Sequence, residues 1–314
     1  MRNIIFDTDP GIDDAVAIMF AIGSGQLDVK AITTVSGNLR ADRCSANARK
    51  VLELIGAGHI PVSRGMQSPL VRTYPKDPFS HGDDGLGNLG LPEPALPEDS
   101  RFAPDLLVDV VNEHAGDISI LGIAPLTNLA LAVMKDPELP RKVHELIIVG
   151  GAYGFDSVGS LRATGDNPVS EWNIYVDPEA ARIVFNAGFN LTAIGLDVAT
   201  HQSIALDRQH RATLASSANK AAGFLSGVVD FVEGRGFGSY CALIDSLAVA
   251  VALEPTIIST KAVRVGIETQ GELTVGQTVV DRREHFLWTH LPLVNVASAI
   301  DSGRFFELLL KAIT

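Results

Sequence analysis

The chain opens with an apolar run that stops abruptly at a cluster of carboxylates. Ile4, Ile5 and Phe6 read as a buried strand, Asp7-Thr8-Asp9-Pro10-Gly11-Ile12-Asp13-Asp14 follows at once, and Ala15-Val16-Ala17-Ile18 begins a helical pattern. A strand feeding directly into a helix is half of a βα unit. In open sheets built from such units, ligands bind beyond the carboxyl ends of the strands. Four like charges packed this closely repel one another and raise their own pKa values. A hard cation relieves that repulsion, and Ca²⁺ or Mg²⁺ selects oxygen ligands of this kind. The N-terminus therefore reads as half of a carboxylate metal site. An Asp at a helix start can also be only a cap or a complement to the helix dipole. That explains Asp13 or Asp14 taken singly; it does not explain Asp7 and Asp9, which end the strand.

The rest of the chain repeats the alternation. Strands are expected at Asp28 to Val35, Ile118 to Ile123, Glu145 to Val149 and Leu191 to Leu196. Helices are expected at Arg40 to Ile55, Leu126 to Met134, Pro178 to Asn186, Ser246 to Leu253 and Asp301 to Ile313. This predicts an α/β fold: an open, mostly parallel, Rossmann-like sheet with helices on both faces. Val263 to Val280 carries Gly271 and Gly276 among β-branched residues and predicts a small antiparallel element near the C-terminus. Two loops stand out, the proline-rich Ser68 to Ser100 with His81-Gly82-Asp83-Asp84-Gly85, and the polar, Gly-rich Phe155 to Asn173.

Composition narrows the function classes. With 314 residues, 46% of them hydrophobic, a sizeable core is assured. A formal net charge of −12 and no basic stripe argue against a nucleic-acid partner. Cys44 and Cys241 form neither a disulfide framework nor a metal-site spacing. No leader-like segment precedes the first strand, and no run approaches the ~20 apolar residues of a membrane helix. The expectation is a cytoplasmic protein with no membrane partner.

Several polar residues fall where strands end: Asp7, Asp9, Asn38, the Ile123-Ala124-Pro125 turn and Glu171-Trp172-Asn173. All strand ends of a parallel sheet open onto one edge, so these residues can converge. Asp245 precedes an apolar helix much as Asp14 does, and taken alone it reads as a helix cap. Asp9, Asp14 and Asp245 together would make an oxygen-rich cage, with a backbone carbonyl and water completing it.

Asp7 through Ala15 resembles the N-terminal signature of the inosine-uridine-preferring nucleoside hydrolases. The resemblance continues in order through Ser36-Gly37-Asn38, His81-Gly82, Pro125 to Ala130, Gly150-Gly151-Ala152, Glu171 to Ala181 and Asp245 to Ala250. It implies one catalytic domain over residues 1–314 that hydrolyses the N-glycosidic bond of ribonucleosides to free base and ribose, in purine or pyrimidine salvage. It implies one Ca²⁺ held by Asp9, Asp14, Asp245 and the main-chain carbonyl of Ile123, with Asp9 as general base toward a calcium-bound water. The sugar 2′- and 3′-hydroxyls would complete the calcium shell. Asp14, Asn38, Asn173 and Asp245 would hold them, and Glu171 the 5′-hydroxyl. Asp13 would lie near the site, and Asp7 would orient the ligands from behind. Family members are commonly homodimers or homotetramers. An anionic site of this kind suits the positive charge that develops on ribose as the bond breaks.

The chain departs from the family pattern where the leaving base would sit. Many members have His immediately before the last calcium-binding Asp; here that residue is Ile244, which cannot donate a proton. Trp172 offers stacking against a purine. His81 is a second candidate to touch the base, and Arg235 a third, suited to a carbonyl-bearing base. Gly165-Asp166-Asn167-Pro168 resembles a family segment with one position shifted, which makes Asn167 a candidate for the 5′-hydroxyl. Other readings stay open: a nucleoside- or ribose-binding protein with little turnover, a hydrolase of a non-standard N-riboside, and a haloacid-dehalogenase-type phosphatase built on Asp7-Thr8-Asp9. That phosphatase motif normally has Thr or Val two residues beyond the second Asp, where this chain has Gly11.

Overall fold

Strand β1 (Arg2–Thr8) sits in the middle of the sheet because its side chains are apolar toward both faces: Ile4 and Phe6 enter one core, Ile5 the other. The computed structural model describes residues 1–75, 80–156 and 162–314; 76–79 and 157–161, inside the two long loops expected from the sequence, lie outside the described residues. The remaining strands are β2 (Leu27–Thr34), β3 (Val62–Arg64), β4 (Ile118–Gly122), β5 (Glu145–Val149), β6 (Leu191–Ile194), β7 (Ile258–Ile267), β8 (Thr278–Val280) and β9 (Leu293–Ile300). They form one nine-stranded sheet in the order β3-β2-β1-β4-β5-β6-β9-β7-β8. Pairing is parallel from β3 through β6 and on to β9, whereas β7 runs antiparallel to both β9 and β8.

The strand order reverses between β1 and β4. A crevice opens where the two connections leave in opposite directions, and that is where open α/β sheets bind ligands. The carboxyl ends of β1 and β4 deliver Asp9 and Ile123 to this crevice. One core lies under the helices Ile12–Gly23, Ser246–Leu253 and Ser302–Ile313; the other lies under Ala103–Glu113, Thr127–Lys135 and Pro178–Asn186. Helix Ser246–Leu253 is apolar all round and buried throughout apart from its last residue, which is how a short helix can pack beside Ile12–Gly23 deep in the core.

Most expected elements lie within a residue or two of their places. The expected strand Leu191 to Leu196 ends early, at Ile194, because Leu196–Ala199 turns into a short helix. Its Asp197 carboxylate takes the N–H groups of Tyr153, Phe155 and Asp156. The antiparallel element is present, pairing Val265 with Val280 and Ile267 with Thr278. No helix of the described residues is long and apolar enough to cross a membrane.

Candidate active site

Two helix N-termini bring the carboxylates together. Ile12–Gly23 starts just after β1 and carries Asp13 and Asp14 in its first turn, while Ser246–Leu253, packed alongside, starts just after Asp245. Carboxylates are favoured at the positive end of a helix dipole. Oxygens of Asp13, Asp14 and Asp245 all lie within 4.8 Å of one another. Asp245 makes no capping hydrogen bond with its own helix, so the cap role that its position suggested is not the one it takes.

Asp14 is held by four donors. Its Oδ1 accepts Thr8 Oγ1–H at 2.5 Å and Asp9 N–H at 3.1 Å; its Oδ2 accepts Gly11 N–H at 3.0 Å and Asn38 Nδ2–H at 3.1 Å. Asp9 is fixed from one side only. Asn38 N–H donates to its Oδ2 at 2.6 Å, and its Oδ1 is buried with no hydrogen-bond partner. Gly37 makes this approach possible: a Cβ there would collide with Asp9 Oδ2 and sit 2.6 Å from Pro125 Cδ. Asp7 faces away from the cavity. Its Oδ1 accepts Thr33 Oγ1–H at 2.8 Å and Asn128 Nδ2–H at 2.9 Å, and Ile123 N–H bonds to its main-chain carbonyl at 2.9 Å. It therefore ties β1 to the Ile123 turn.

The electrostatics are those of uncompensated burial. Removal from water is the main cause that raises the pKa values of Asp9, Asp13 and Asp245, and their mutual repulsion together with that of Asp14 adds to it. Burial pushes Asp7 up to about 7 against its two hydrogen bonds. Glu171 is raised by burial despite the N–H groups it accepts, from Asn173, Gly151 and Ile174. Among the described residues, buried carboxylate oxygens of Asp7, Asp9 and Asp13 have no hydrogen-bond partner. A hard oxygen donor set of this kind, carrying negative charge and lacking a counter-ion, fits a divalent cation such as Ca²⁺.

A cavity of about 340 Å³ lies over the cluster. Asp13, Asn38, Glu171, Asn173 and Asp245 line it together with the apolar or aromatic Ile123, Trp172, Val232, Phe237, Tyr240 and Ile244. Asn173 donates Nδ2–H to Val149 O at 3.0 Å, which orients its amide at the end of β5. His81 also lines the cavity. Its Nδ1 accepts Ile12 N–H at 3.1 Å and lies 3.8 Å from Asp13 Oδ1, too far for a hydrogen bond. Trp172 is buried with no acceptor for its Nε1–H, its ring 6.1 Å from that of Tyr175. Asp9 and Asp14 lie beneath the lining, fully buried.

Two candidates from the sequence are elsewhere. Asn167 spends its amide on Val275 O (2.8 Å) and Val169 N–H (3.1 Å) and does not line the cavity, because the shifted segment packs onto the β7–β8 connection instead. Arg235 lies over the Phe231 ring, exposed and outside the cavity lining. Residues that sequence reasoning did not single out take their place: Arg162, Thr164, Thr200, Tyr240 and Cys241 all line the cavity. Asn128, buried behind Asp7, is a further one; it lay inside a recognisable segment, yet only the fold shows its amide reaching Asp7 and Thr34 O.

The model of the inosine-uridine preferring nucleoside hydrolase family matches residues 4–307. An inosine-uridine preferring nucleoside hydrolase of Leishmania major is 37% identical, with 99% of this chain and 97% of that protein covered. A pyrimidine-specific ribonucleoside hydrolase of Citrobacter koseri is 36% identical, covering 98% of this chain and 96% of that protein. Among solved structures, a plant nucleoside hydrolase superposes with a TM-score of 0.90 at 34% identity, covering 100% of this chain and 99% of that one. These relatives are named for different bases, so base preference has to be read from this chain's own cavity.

Proposed function

The chain belongs to the inosine-uridine preferring nucleoside hydrolase family, enzymes that hydrolyse N-glycosidic bonds, and from that premise we propose a Ca²⁺-dependent ribonucleoside N-ribohydrolase releasing free base and ribose. One observation carries the proposal: Asp9 keeps a buried, unpartnered carboxylate oxygen beside the Asp13–Asp14–Asp245 cluster, under a cavity of about 340 Å³. Asp9, Asp14, Asp245 and the carbonyl of Ile123 would hold the cation, with Asp13 close enough to contribute. The cation would neutralise these carboxylates and acidify water beside them.

The chain's own residues supply the rest. Asn38 N–H pins Asp9 Oδ2, which leaves Oδ1 to take the proton of the attacking water. Asp9 Oδ1, buried and without a hydrogen-bond partner among the described residues, is the oxygen free to act as that base. General-base assistance of this kind is worth ~10²–10⁴-fold. Asn38, Asn173 and Asp245 line the cavity and suit the sugar hydroxyls, and Glu171 suits the 5′-hydroxyl. The negative charge of Asp245 and Glu171 favours the oxocarbenium character that develops at C1′. Asp7 gives its Oδ1 to Thr33 and Asn128 and ties β1 to the Ile123 turn, a structural role that does not suit the nucleophile of an Asp-x-Asp phosphatase. Family membership also supports a homo-oligomer acting in base salvage, and two cysteines without a disulfide framework suit a cytoplasmic setting.

The test is release of reducing sugar from inosine, adenosine, guanosine, uridine and cytidine, with Ca²⁺ present and after chelation. Chelator-sensitive release of ribose is expected. Tight nucleoside binding without release would instead make the protein a binding protein or a hydrolase of another N-riboside.

A further inference from the structure

Ile244 lines the cavity and offers no proton, so the leaving base has to be helped by something else. Among the described residues lining the cavity, Arg162 carries the one permanent positive charge. Its guanidinium is held in place: NH1 donates to Thr200 O, and its carbon lies 4.6 Å from the centroid of the Tyr240 ring. Thr200 and Tyr240 also line the cavity, so the guanidinium is braced from two sides within the wall. A fixed arginine presents planar N–H donors that match a carbonyl oxygen, and it cannot lose its charge. Trp172 and Phe237 supply apolar surface for a flat ring in the same cavity.

Resting on the nucleoside-hydrolase reading above, we propose that Arg162, braced by Tyr240 and Thr200, binds the carbonyl of an oxo-base and stabilises it as it leaves. A preference for hypoxanthine or uracil nucleosides over those of adenine is the one the family is named for; the new assignment is the residue that would carry it in this chain, Arg162. The C1′–N bond breaks heterolytically, and its electron pair passes to the base nitrogen and delocalises onto the carbonyl oxygen facing Arg162. Water oxygen bonds to C1′, its proton goes to Asp9, and the departing base anion takes a proton from solvent. Charge stabilisation by a preorganised donor thus replaces proton donation by the missing histidine. Adenine has no carbonyl to accept from Arg162, and its nucleoside leaves the guanidinium unpaired.

The experiment compares wild type, Arg162→Gln and Arg162→Lys in the calcium-loaded full chain on inosine, adenosine and p-nitrophenyl riboside. The last has an activated leaving group and reports the sugar and water machinery alone. Arg162→Gln is expected to lose about 10²-fold in kcat/KM on inosine, and less than about threefold on the other two. Arg162→Lys should recover part of the loss, since it restores charge without the planar fork. Equal losses on all three substrates, or none on inosine, would overturn the assignment. Binding of free hypoxanthine and adenine gives a readout that needs no turnover. Wild type should hold hypoxanthine more tightly and Arg162→Gln should lose that preference; absence of the preference in wild type also overturns the proposal. A chain that hydrolyses no riboside yet shows the Arg162-dependent preference would refute the hydrolase reading and leave this base subsite standing.

Discussion

Asp7→Asn should reverse its effect on stability between pH 3.5 and pH 8 in the metal-free protein. Asp7 is fully buried, and its carboxyl is pushed from an ordinary 3.8 up to about 7. The unfolded chain releases this proton near the lower value and the folded chain near the higher one. Between them the folded state holds the extra proton, so this residue's contribution is complete below pH 3.8 and is lost as pH rises through about 7. The full interval corresponds to about 4 kcal/mol. Asparagine keeps an oxygen for Thr33 and Asn128 but places an N–H₂ where Oδ2 has no partner, a cost of about 1–3 kcal/mol. Urea unfolding in chelator should therefore find Asp7→Asn less stable than wild type by about 1–3 kcal/mol at pH 3.5, below the ordinary carboxylate value. At pH 8 it should be more stable by a similar amount, the ionisation penalty having been removed. The other buried carboxylates act in both proteins, so the difference between them isolates Asp7. The same ranking at both pH values would refute the reasoning.

Other substitutions probe the neighbouring geometry. Asp9→Asn keeps shape and fold but removes the base; kcat should fall ~10²–10⁴-fold with near-UV circular dichroism unchanged. Gly37→Ala drives a methyl into Asp9 Oδ2 and Pro125, and should cost about 1–3 kcal/mol of stability together with most of the turnover, measured by unfolding and by ribose release. Ile244→His places a proton donor in the cavity wall, and should raise kcat on adenosine more than on inosine if Arg162 already serves the oxo-base.

The fold was legible in the sequence where local pattern and burial agree. The apolar stretch Ile4–Phe6, the strand Glu145–Val149 and the helices Pro178–Asn186 and Ser246–Leu253 all stand where periodicity places them. Strand β9 was not legible, because its place between β6 and β7 is set by pairing with segments distant in the chain. The acidic cluster was legible in part: Asp13 and Asp14 do gather beside Asp245, whereas Asp7 turns to Thr33 and Asn128 instead. Asp245 was ambiguous until its helix proved to lie beside Ile12–Gly23 with the carboxylate turned from its own backbone. Arg162 and Tyr240 left no signal, since a lone Arg in a Gly-rich loop and a Tyr before a buried helix are ordinary surface and core residues until the fold closes them around one cavity.

Calcium titration of chelated protein, with bound metal and ribose release followed in the same samples, decides whether turnover depends on a cation held by Asp9, Asp14 and Asp245. The account predicts that activity returns in proportion to bound Ca²⁺ and saturates at one ion per chain, and that Asp9→Asn regains no comparable rate at saturation. Full turnover in protein shown to contain no metal, or an Asp9→Asn protein that keeps the wild-type rate, would contradict it.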